Sequence, residues 1–269
     1  MSNRPDLKAM ARQRALDVLG LSARLRAGSV DPRVHMVYGH YLPEENVDRF
    51  RTLLASLQKR YDFVSYSDAI ERLNNGPIDR PMMAFSFDDG YESAGRAARV
   101  LEEFGATCCL FVLPSVVGNK SEADVADFFR APASDIEPLL GWDELEDLQS
   151  RGHEIGSHTM THVALADLTR DQLDAELHES KALITDRLGS CDHFAWPFGR
   201  LNCLPESGLD AIKQAGYVSC SSAVRGHHVE PLGNDLTHYV CRDHVEPMWP
   251  ALHGEYFVHS SPIAPEQHS

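Results

Sequence analysis

Two adjacent carboxylates, Asp88 and Asp89, stand at the end of an apolar run over Met82–Phe87 and are followed by Gly90. Successive side chains of an extended chain point to opposite sides. One carboxylate could therefore bind a cation while its neighbour faces a water molecule. Asp-Asp-Gly is also a favourable turn sequence, so these residues alone leave a purely structural turn open.

A second polar group ends the predicted strand Glu154–His158 and contains His158 and His162. Histidines four residues apart lie on one side of a turn or short helix and could share a metal ion. Two histidines and a carboxylate are a common ligand set for Zn²⁺ and for non-haem Fe(II). The helical zinc-protease motif is excluded, because Thr159 stands where that motif has Glu.

The carboxylate pair and the histidine pair are informative together, since each follows an apolar strand at the same predicted end of a sheet. Either pair alone could arise by chance, whereas convergent groups of complementary chemistry point to an active site. The sequence therefore predicts a metal site with a carboxylate base beside it.

A third strand end carries Trp196, Pro197, Phe198 and Gly199 in succession. Its proline and glycine impose an unusual backbone path, which could aim the backbone N–H of Phe198 at a developing oxyanion. An ordinary turn between a strand and a helix is the alternative reading of this stretch.

The last predicted strand ends in Arg242, Asp243 and His244. Period-two alternation places Arg242 and His244 on one face. Arg242 could hold a catalytic carboxylate charged and oriented, and His244 could donate a proton. The alternatives are an arginine paired with a surface acid and one surface histidine among the fourteen in the chain.

Strands and helices alternate along the chain, and we count about seven β/α units. This pattern predicts an α/β fold with a parallel sheet, and at this length a closed or distorted (β/α) barrel, with its chemistry at the carboxyl ends of the strands. Residues 114–141 interrupt the alternation and predict a long functional loop. Strands are predicted at 34–38, 63–65, 82–87, 107–113, 154–158, 193–196, 218–222 and 238–242.

The 269 residues carry a net charge of −15, which argues against nucleic acid as a partner. Residues 1–30 are the exception, with six basic and two acidic residues. A helix predicted over 6–27 could lie on an acidic membrane surface or simply pack on the domain. We predict an N-terminal helical extension at 1–32, a catalytic barrel at 33–259 and a flexible tail at 260–269.

Two features bear on where the protein acts. No apolar run approaches the length of a membrane span, and no convincing signal peptide is present, because Asp17 interrupts the segment Ala15–Leu21. The six cysteines show no C-x-x-C spacing and predict reduced thiols. These features predict a cytoplasmic protein.

The motifs resemble those of the polysaccharide deacetylase family (carbohydrate esterase family four). Phe-Ser-Phe-Asp-Asp-Gly at 85–90 is similar to its first motif, His-Thr-Met-Thr-His at 158–162 to its second, and Trp-Pro-Phe-Gly at 196–199 to its third. The similarity extends over roughly residues 34–245. It implies a distorted (β/α) barrel and metal-dependent removal of N-acetyl groups from an amino-sugar polymer or oligosaccharide.

The resemblance also implies roles for individual residues. Asp88 matches the general base, and the backbone N–H of Phe198 matches the oxyanion donor. Together with Phe198, Pro197 and Trp196 are predicted to bind the oxyanion and the substrate. The position two residues before the proline, often Arg in the family, is Ala195, so Arg242 is predicted to orient the base instead. The matching ligands of one divalent metal ion, usually Zn²⁺, are Asp89, His158 and His162.

The family's late Leu-x-His motif has no clean copy, so His244 is predicted as the catalytic acid, with His259 and His253 as the next choices. Most relatives act outside the cytoplasm, which leaves the polymer substrate open. One alternative is a cytoplasmic deacylase of a small or carrier-linked amino sugar or another amide. Another is an inactive carbohydrate-binding barrel, which would have no need for a base beside a metal.

Overall fold

The computed structural model describes residues 7–26, 29–132 and 136–267 of the chain. Parts of the predicted extension (1–6, 27–28), loop (133–135) and tail (268–269) lie outside these ranges. The α-helices are α1 (Leu7–Arg26), α2 (Val47–Leu57), α3 (Tyr66–Asn75), α4 (Glu92–Glu102), α5 (Glu122–Phe129), α6 (Trp142–Ser150), α7 (Arg170–Leu188), α8 (Gly208–Gln214) and α9 (Ala251–His259). The strands are β1 (Arg33–Gly39), β2 (Asp62–Phe63), β3 (Pro81–Phe87), β4 (Cys108–Val112), β5 (Glu154–Ser157), β6 (His193–Ala195), β7 (Ser219–Ser221) and β8 (Asp243–His244).

The strands form one curled parallel sheet in the order β7-β6-β5-β4-β3-β1-β8, with β2 paired to the first half of β3. The segment that ends in β8 touches both edges of this sheet. Val240 forms a parallel bridge with Ser221 of β7, and three residues later β8 pairs with Val37 and Tyr38 of β1. The predicted α/β fold, a distorted (β/α) barrel of about seven strands, is therefore confirmed.

The central strands are apolar because helices cover the outside of the barrel and side chains fill its inside. Every residue of β4 is buried, as are six of the seven residues of β3. Helix α7, which packs beside β5, has well-defined ends: Thr169 and Gln172 form a capping box at its start, and Gly189 ends it in the left-handed conformation. Asp88 thus directly follows a strand that is almost entirely buried in the core.

Helix α9 was not predicted, because its buried face carries His253, Gly254 and Glu255 and shows no apolar periodicity. Helix α1 packs on α9. A Cβ added to Gly20 would lie 2.4 Å from the carbonyl oxygen of Leu252, so this glycine permits the close approach of the two helices. Membrane contact by α1 stays a prediction.

The C-terminal residues make several contacts with the barrel. Ile263 forms a parallel bridge with His227, and the Gln267 side chain hydrogen-bonds the backbone N–H and carbonyl of Tyr239. The predicted tail is thus attached at these points, and the domain limits stay predictions. Among the described residues, every helix is too short or too polar to span a bilayer. The six cysteines form no disulfide.

Candidate active site

A cavity of about 120 Å³ opens at the carboxyl ends of the strands, where a (β/α) barrel carries its chemistry. The polar groups after β3 and β5, which the sequence predicted to converge, meet in this cavity. It is lined by Tyr38, His40, Asp88, Asp89, His158, His162, Phe198, Gly199 and Ala223.

Three of these residues, Asp89, His158 and His162, direct ligand atoms towards one point and are called here the metal triad. The Oδ1 atom of Asp89 lies 3.3 Å from Nε2 of His162 and 3.6 Å from Nε2 of His158. This oxygen is buried and has no hydrogen-bond partner among the described residues. Ligands of a tetrahedral ion lie about 3.4 Å from one another, so the triad fits a divalent cation.

The protonation states of the triad also suit a cation. Nδ1 of His158 donates to the carbonyl of Ala195 at 2.7 Å, which leaves the lone pair of Nε2 facing Asp89. Burial lowers the pKa of His158 to about 4, although Asp88 and Asp89 oppose this. Burial also raises the pKa of Asp89, but the neighbouring histidines, His162 first, outweigh it and hold this pKa well below its usual range.

Strained backbone surrounds the cavity. Six non-glycine residues among those described have positive φ, a region that L-residues rarely adopt. Four of them belong to the site: Asp89 (72°), Thr159 (73°), His162 (54°) and Phe198 (63°). Such conformations persist only where the surrounding structure imposes them, and they cluster at functional sites.

Asp88 is held by the arginine that the sequence predicted. Nη1 and Nη2 of Arg242 donate to the two carboxylate oxygens of Asp88 at 2.8 and 2.9 Å, a two-pronged ion pair. Burial raises the pKa of Asp88, but the charges of Arg242 and His158 outweigh it, so its pKa is lowered. Asp88 is therefore an ionised carboxylate of fixed orientation beside the metal triad.

Arg242 is completely buried and has further partners. Its Nε donates to the carbonyl of Ser222 at 2.8 Å, and Nη1 also donates to Oγ of Ser86 at 3.1 Å. Its Cζ lies 4.5 Å from the centroid of the Tyr38 ring, a cation–π contact. These contacts fix the guanidinium, and through it the position of Asp88.

The turn after β6 brings Phe198 to the cavity but leaves its two predecessors outside it. The backbone N–H of Phe198 has no hydrogen-bond partner among the described residues, and its ring centroid lies 5.0 Å from that of His162. Trp196 and Pro197 are buried and do not line the cavity. The Trp196 ring instead donates to the carbonyl of Arg200 at 3.0 Å, so these two residues shape the turn.

His40, which lines the cavity, belongs with Glu246 and His244 to a second group, called here the Glu246 cluster. Nδ1 of His40 and Nε2 of His244 donate to the same Oε1 atom of Glu246 at 2.6 and 2.7 Å. The backbone N–H of His40 also donates to Oε2 at 3.3 Å. These separations are hydrogen bonds, shorter than the separations within the metal triad.

Protonation in the Glu246 cluster follows from these contacts. Burial lowers the pKa of His40, but the hydrogen bond to Glu246 and the charge of Asp89 outweigh it and raise the pKa to about 9. Burial raises the pKa of Glu246, whereas its hydrogen bonds to His244 and His40 bring it down to about 2. At neutral pH the cluster therefore places a protonated His40 in the cavity.

The expectation that His244 faces this cavity is corrected, because it is not a lining residue. Arg242 and His244 lie on the same face of the chain, as strand alternation predicted, because both contact the ring of Tyr38. That ring, and not His244, lines the cavity. The two substitutes considered from the sequence are also elsewhere. Nε2 of His253 hydrogen-bonds Oδ1 of Asp17 at 2.8 Å, and Nη1 of Arg60 hydrogen-bonds Nε2 of His259 at 2.5 Å.

Sequence reasoning missed His40, Glu246 and Tyr38. His40 follows β1 just as Asp88 follows β3, so the rule that singled out polar residues at strand ends could have found it. Glu246 gave no such signal. Glu246 reaches His40, 206 residues away in the sequence, only because β8 pairs with β1 in the sheet.

The fold is shared with solved deacetylase structures. IcaB from Ammonifex degensii superposes with a TM-score of 0.66 at 19% identity, over 85% of this chain and 98% of that one. The Streptococcus pyogenes deacetylase PplD, in complex with acetate, gives 0.63 at 19% identity, over 82% and 94%. At this identity the likeness shows a common fold.

Sequence comparisons identify the family, which a common fold alone does not. YxkH of Bacillus subtilis (strain 168) is 27% identical over 134 residues, which are 49% of this chain and 41% of YxkH. The match thus spans about two fifths of that relative. The family model described as polysaccharide deacetylase matches residues 75–219, more than half of the chain. The chain therefore belongs to the polysaccharide deacetylase family.

Proposed function

We propose that the protein is a metal-dependent hydrolase that removes N-acetyl or other N-acyl groups from an amino-sugar polymer or oligosaccharide. The observation that carries this proposal is the pairing of a cation-spaced triad with an ionised carboxylate, Asp88, that Arg242 orients beside it. A general base next to a Lewis-acid site is what amide hydrolysis requires.

Asp89, His158 and His162 would hold the cation, which we propose to be Zn²⁺. When bound there, it would polarise an amide oxygen and make a water molecule more acidic. The neutral His158 and the ionised Asp89 are ready to bind without first losing protons at neutral pH.

Asp88 serves as the base in this proposal. Its lowered pKa keeps it ionised at neutral pH, and the Arg242 fork leaves it one orientation in which to accept a proton from the attacking water. A lower pKa also weakens a base, so the position of the carboxylate matters more than its basicity.

The remaining two roles fall to Phe198 and His40, which both line the cavity. The Phe198 N–H is available to stabilise the developing oxyanion, a contribution of typically about 10²–10³ in rate. His40 is the proton donor to the leaving amine, because it lines the cavity and its hydrogen bond to Glu246 keeps it protonated. We propose His40 for this role in place of His244.

Acetate release tests the function. The purified protein with Zn²⁺ is incubated with an N-acetylated amino-sugar polymer, its oligomers, and a nucleotide-linked N-acetyl amino sugar, and acetate is measured. Asp88→Asn is the matched control, which keeps the shape of the side chain and should lower the rate by about 10² or more while zinc stays bound. Release from the nucleotide sugar alone would favour the small-substrate alternative, and no release from any substrate would favour the inactive binding barrel.

A further inference from the structure

We propose that Glu176 of α7 is a positioning residue that holds the loop carrying His158 and His162 in its metal-binding conformation. The inference rests on the function proposed above, because it assigns a role toward the cation of that site. Glu176 lies outside the set of residues that line the cavity, so it would act only through the loop.

The carboxylate of Glu176 binds the middle of this loop through three hydrogen bonds. Oε2 accepts the backbone N–H of Met160 at 2.7 Å and that of Thr161 at 3.0 Å. Oε1 accepts the hydroxyl of Thr161. Two consecutive amides and a side chain between the two histidines are thus satisfied by one residue on a neighbouring helix.

The loop needs such support because both of its ends are strained. Thr159 and His162 have φ values of 73° and 54°, and such conformations persist only where surrounding contacts impose them. Within the loop, the N–H of His162 donates to Oγ1 of Thr159 at 3.1 Å. That bond does not tie the loop to the barrel, whereas the contacts of Glu176 do, as does a hydrogen bond from the Ser115 hydroxyl to the carbonyl of Met160. Glu176 is the residue that binds the two backbone amides between the histidines.

Helix α7 is well suited to this task. Ser180, one turn after Glu176, accepts a hydrogen bond from Oγ of Ser157 at 2.8 Å, just before the loop. Leu177 and Ile184 of the same helix are buried in the core, so the helix is a fixed reference. Two positions on one face of α7 therefore hold the start and the middle of the metal-binding segment.

Two substitutions separate positioning from charge. Glu176→Gln removes the charge but keeps the reach: its amide oxygen can accept both backbone N–H groups, and its NH₂ can donate to the Thr161 hydroxyl. Glu176→Asp keeps the charge but falls one methylene short. If the role is geometric, the Asp variant is the damaged one.

Zinc affinity is measured by competition with a chromophoric chelator, without any sugar substrate. We expect Glu176→Asp and Glu176→Ala to weaken zinc binding by about 10–100-fold, the usual effect of removing a supporting contact behind a metal ligand. Glu176→Gln should stay within about threefold of the natural chain, because its hydrogen bonds are retained. Glu179→Ala removes an exposed acid from the same helix and should have no effect.

Equal losses in the Gln and Asp variants, or a loss in Gln alone, would overturn the proposal in favour of a charge effect. Unchanged affinity in either the Asp or the Ala variant would also overturn it. Because zinc affinity is measured without turnover, a failure of acetate release would leave this result intact, and the two proposals can fail separately. Far-UV circular dichroism of the zinc-free variants checks that each is folded.

Discussion

The metal triad borders the cavity with all three residues and the Glu246 cluster through His40, and the two groups contain the same residue types, two histidines and one carboxylate. Their spacing differs. In the triad the central carboxylate oxygen lies 3.3 and 3.6 Å from the imidazole nitrogens and has no hydrogen-bond partner among the described residues. In the Glu246 cluster the corresponding distances are 2.6 and 2.7 Å.

The difference lies in what faces the carboxylate. Nδ1 of His158 donates its proton to the carbonyl of Ala195, so the lone pair of Nε2 faces Asp89. A lone pair and a carboxylate oxygen repel each other, and a cation between them would remove that repulsion. His40 and His244 each donate an N–H hydrogen bond to Glu246. Their protons lie between the nitrogen and oxygen atoms, so no cation is needed there. Residue types therefore do not identify a metal site. Here the separations of the ligand atoms, and the carbonyl partner of the second nitrogen of His158, distinguish the metal triad.

The largest expected effect follows from this contrast. The double variant His158→Ala, His162→Ala should lose its bound zinc, and activity should fall by about 10³ or more with the Lewis acid gone. The double variant His40→Ala, His244→Ala should keep one zinc per chain. Native mass spectrometry gives the stoichiometry. Zinc retained by the first variant, or lost from the second, would break the comparison.

Within the Glu246 cluster the two histidines should differ. His40→Ala should lower kcat by about 10², the usual scale of general acid catalysis. His244→Ala should cost about tenfold, since it loses one hydrogen bond to the charged Glu246 and its stacking contact with the Tyr38 ring but is not itself the proton donor. Initial rates of acetate release measure both. A larger loss for His244→Ala would return the role of proton donor to that residue.

The ion pair between the two clusters gives a smaller effect. Arg242→Lys keeps the charge, but an ammonium group cannot donate to both oxygens of Asp88 while it also hydrogen-bonds Oγ of Ser86 and the carbonyl of Ser222. We expect about a tenfold loss of kcat, the loss of one charge-assisted hydrogen bond at the base. Arg225→Lys, at a half-exposed arginine paired with Asp243, is the matched control. Equal effects of the two changes would mean that Arg242 only stabilises the fold.

The smallest effect is a pKa shift without loss of structure. In Glu246→Gln the pKa of His40 should fall from about 9, because the charged hydrogen-bond partner that opposes the effect of burial is lost, while the charges of Asp89 and Asp88 remain. The raised pKa of His40 contributes stability that is full below pH 6.5 and is lost as the pH rises through 9. The lowered pKa of Glu246 contributes stability that is full above pH 4.5 and is lost as the pH falls through about 2, so the pair stabilises the fold most between pH 4.5 and 6.5. NMR titration of the histidine rings in the presence of a chelator measures the pKa of His40 in both proteins. An unshifted His40 would contradict the assigned hydrogen bond.

Much of the site was accessible from the sequence because parallel strands align their carboxyl ends. Asp88 and Asp89 follow an apolar run, and His158 and His162 stand at and just after the end of the predicted strand 154–158. That local pattern was enough to predict that they meet. Arg242 was found by a less local argument, that a late strand of a closed barrel returns to the first strands. Helix α9 was missed because its buried face is polar.

The sequence by itself determined the barrel and was enough to predict that Asp88, Asp89, His158 and His162 meet, since these depend on hydrophobic periodicity and on the residues that follow strands. Only the tertiary structure decided which histidine enters the cavity. His40 and His244 both stand near the ends of strands, and the packing of Tyr38 and Glu246 between β1 and β8 separates them. The tertiary structure also decided that one cluster is spaced for a cation and the other for protons, because a difference of less than 1 Å between side chains has no counterpart in their spacing along the chain.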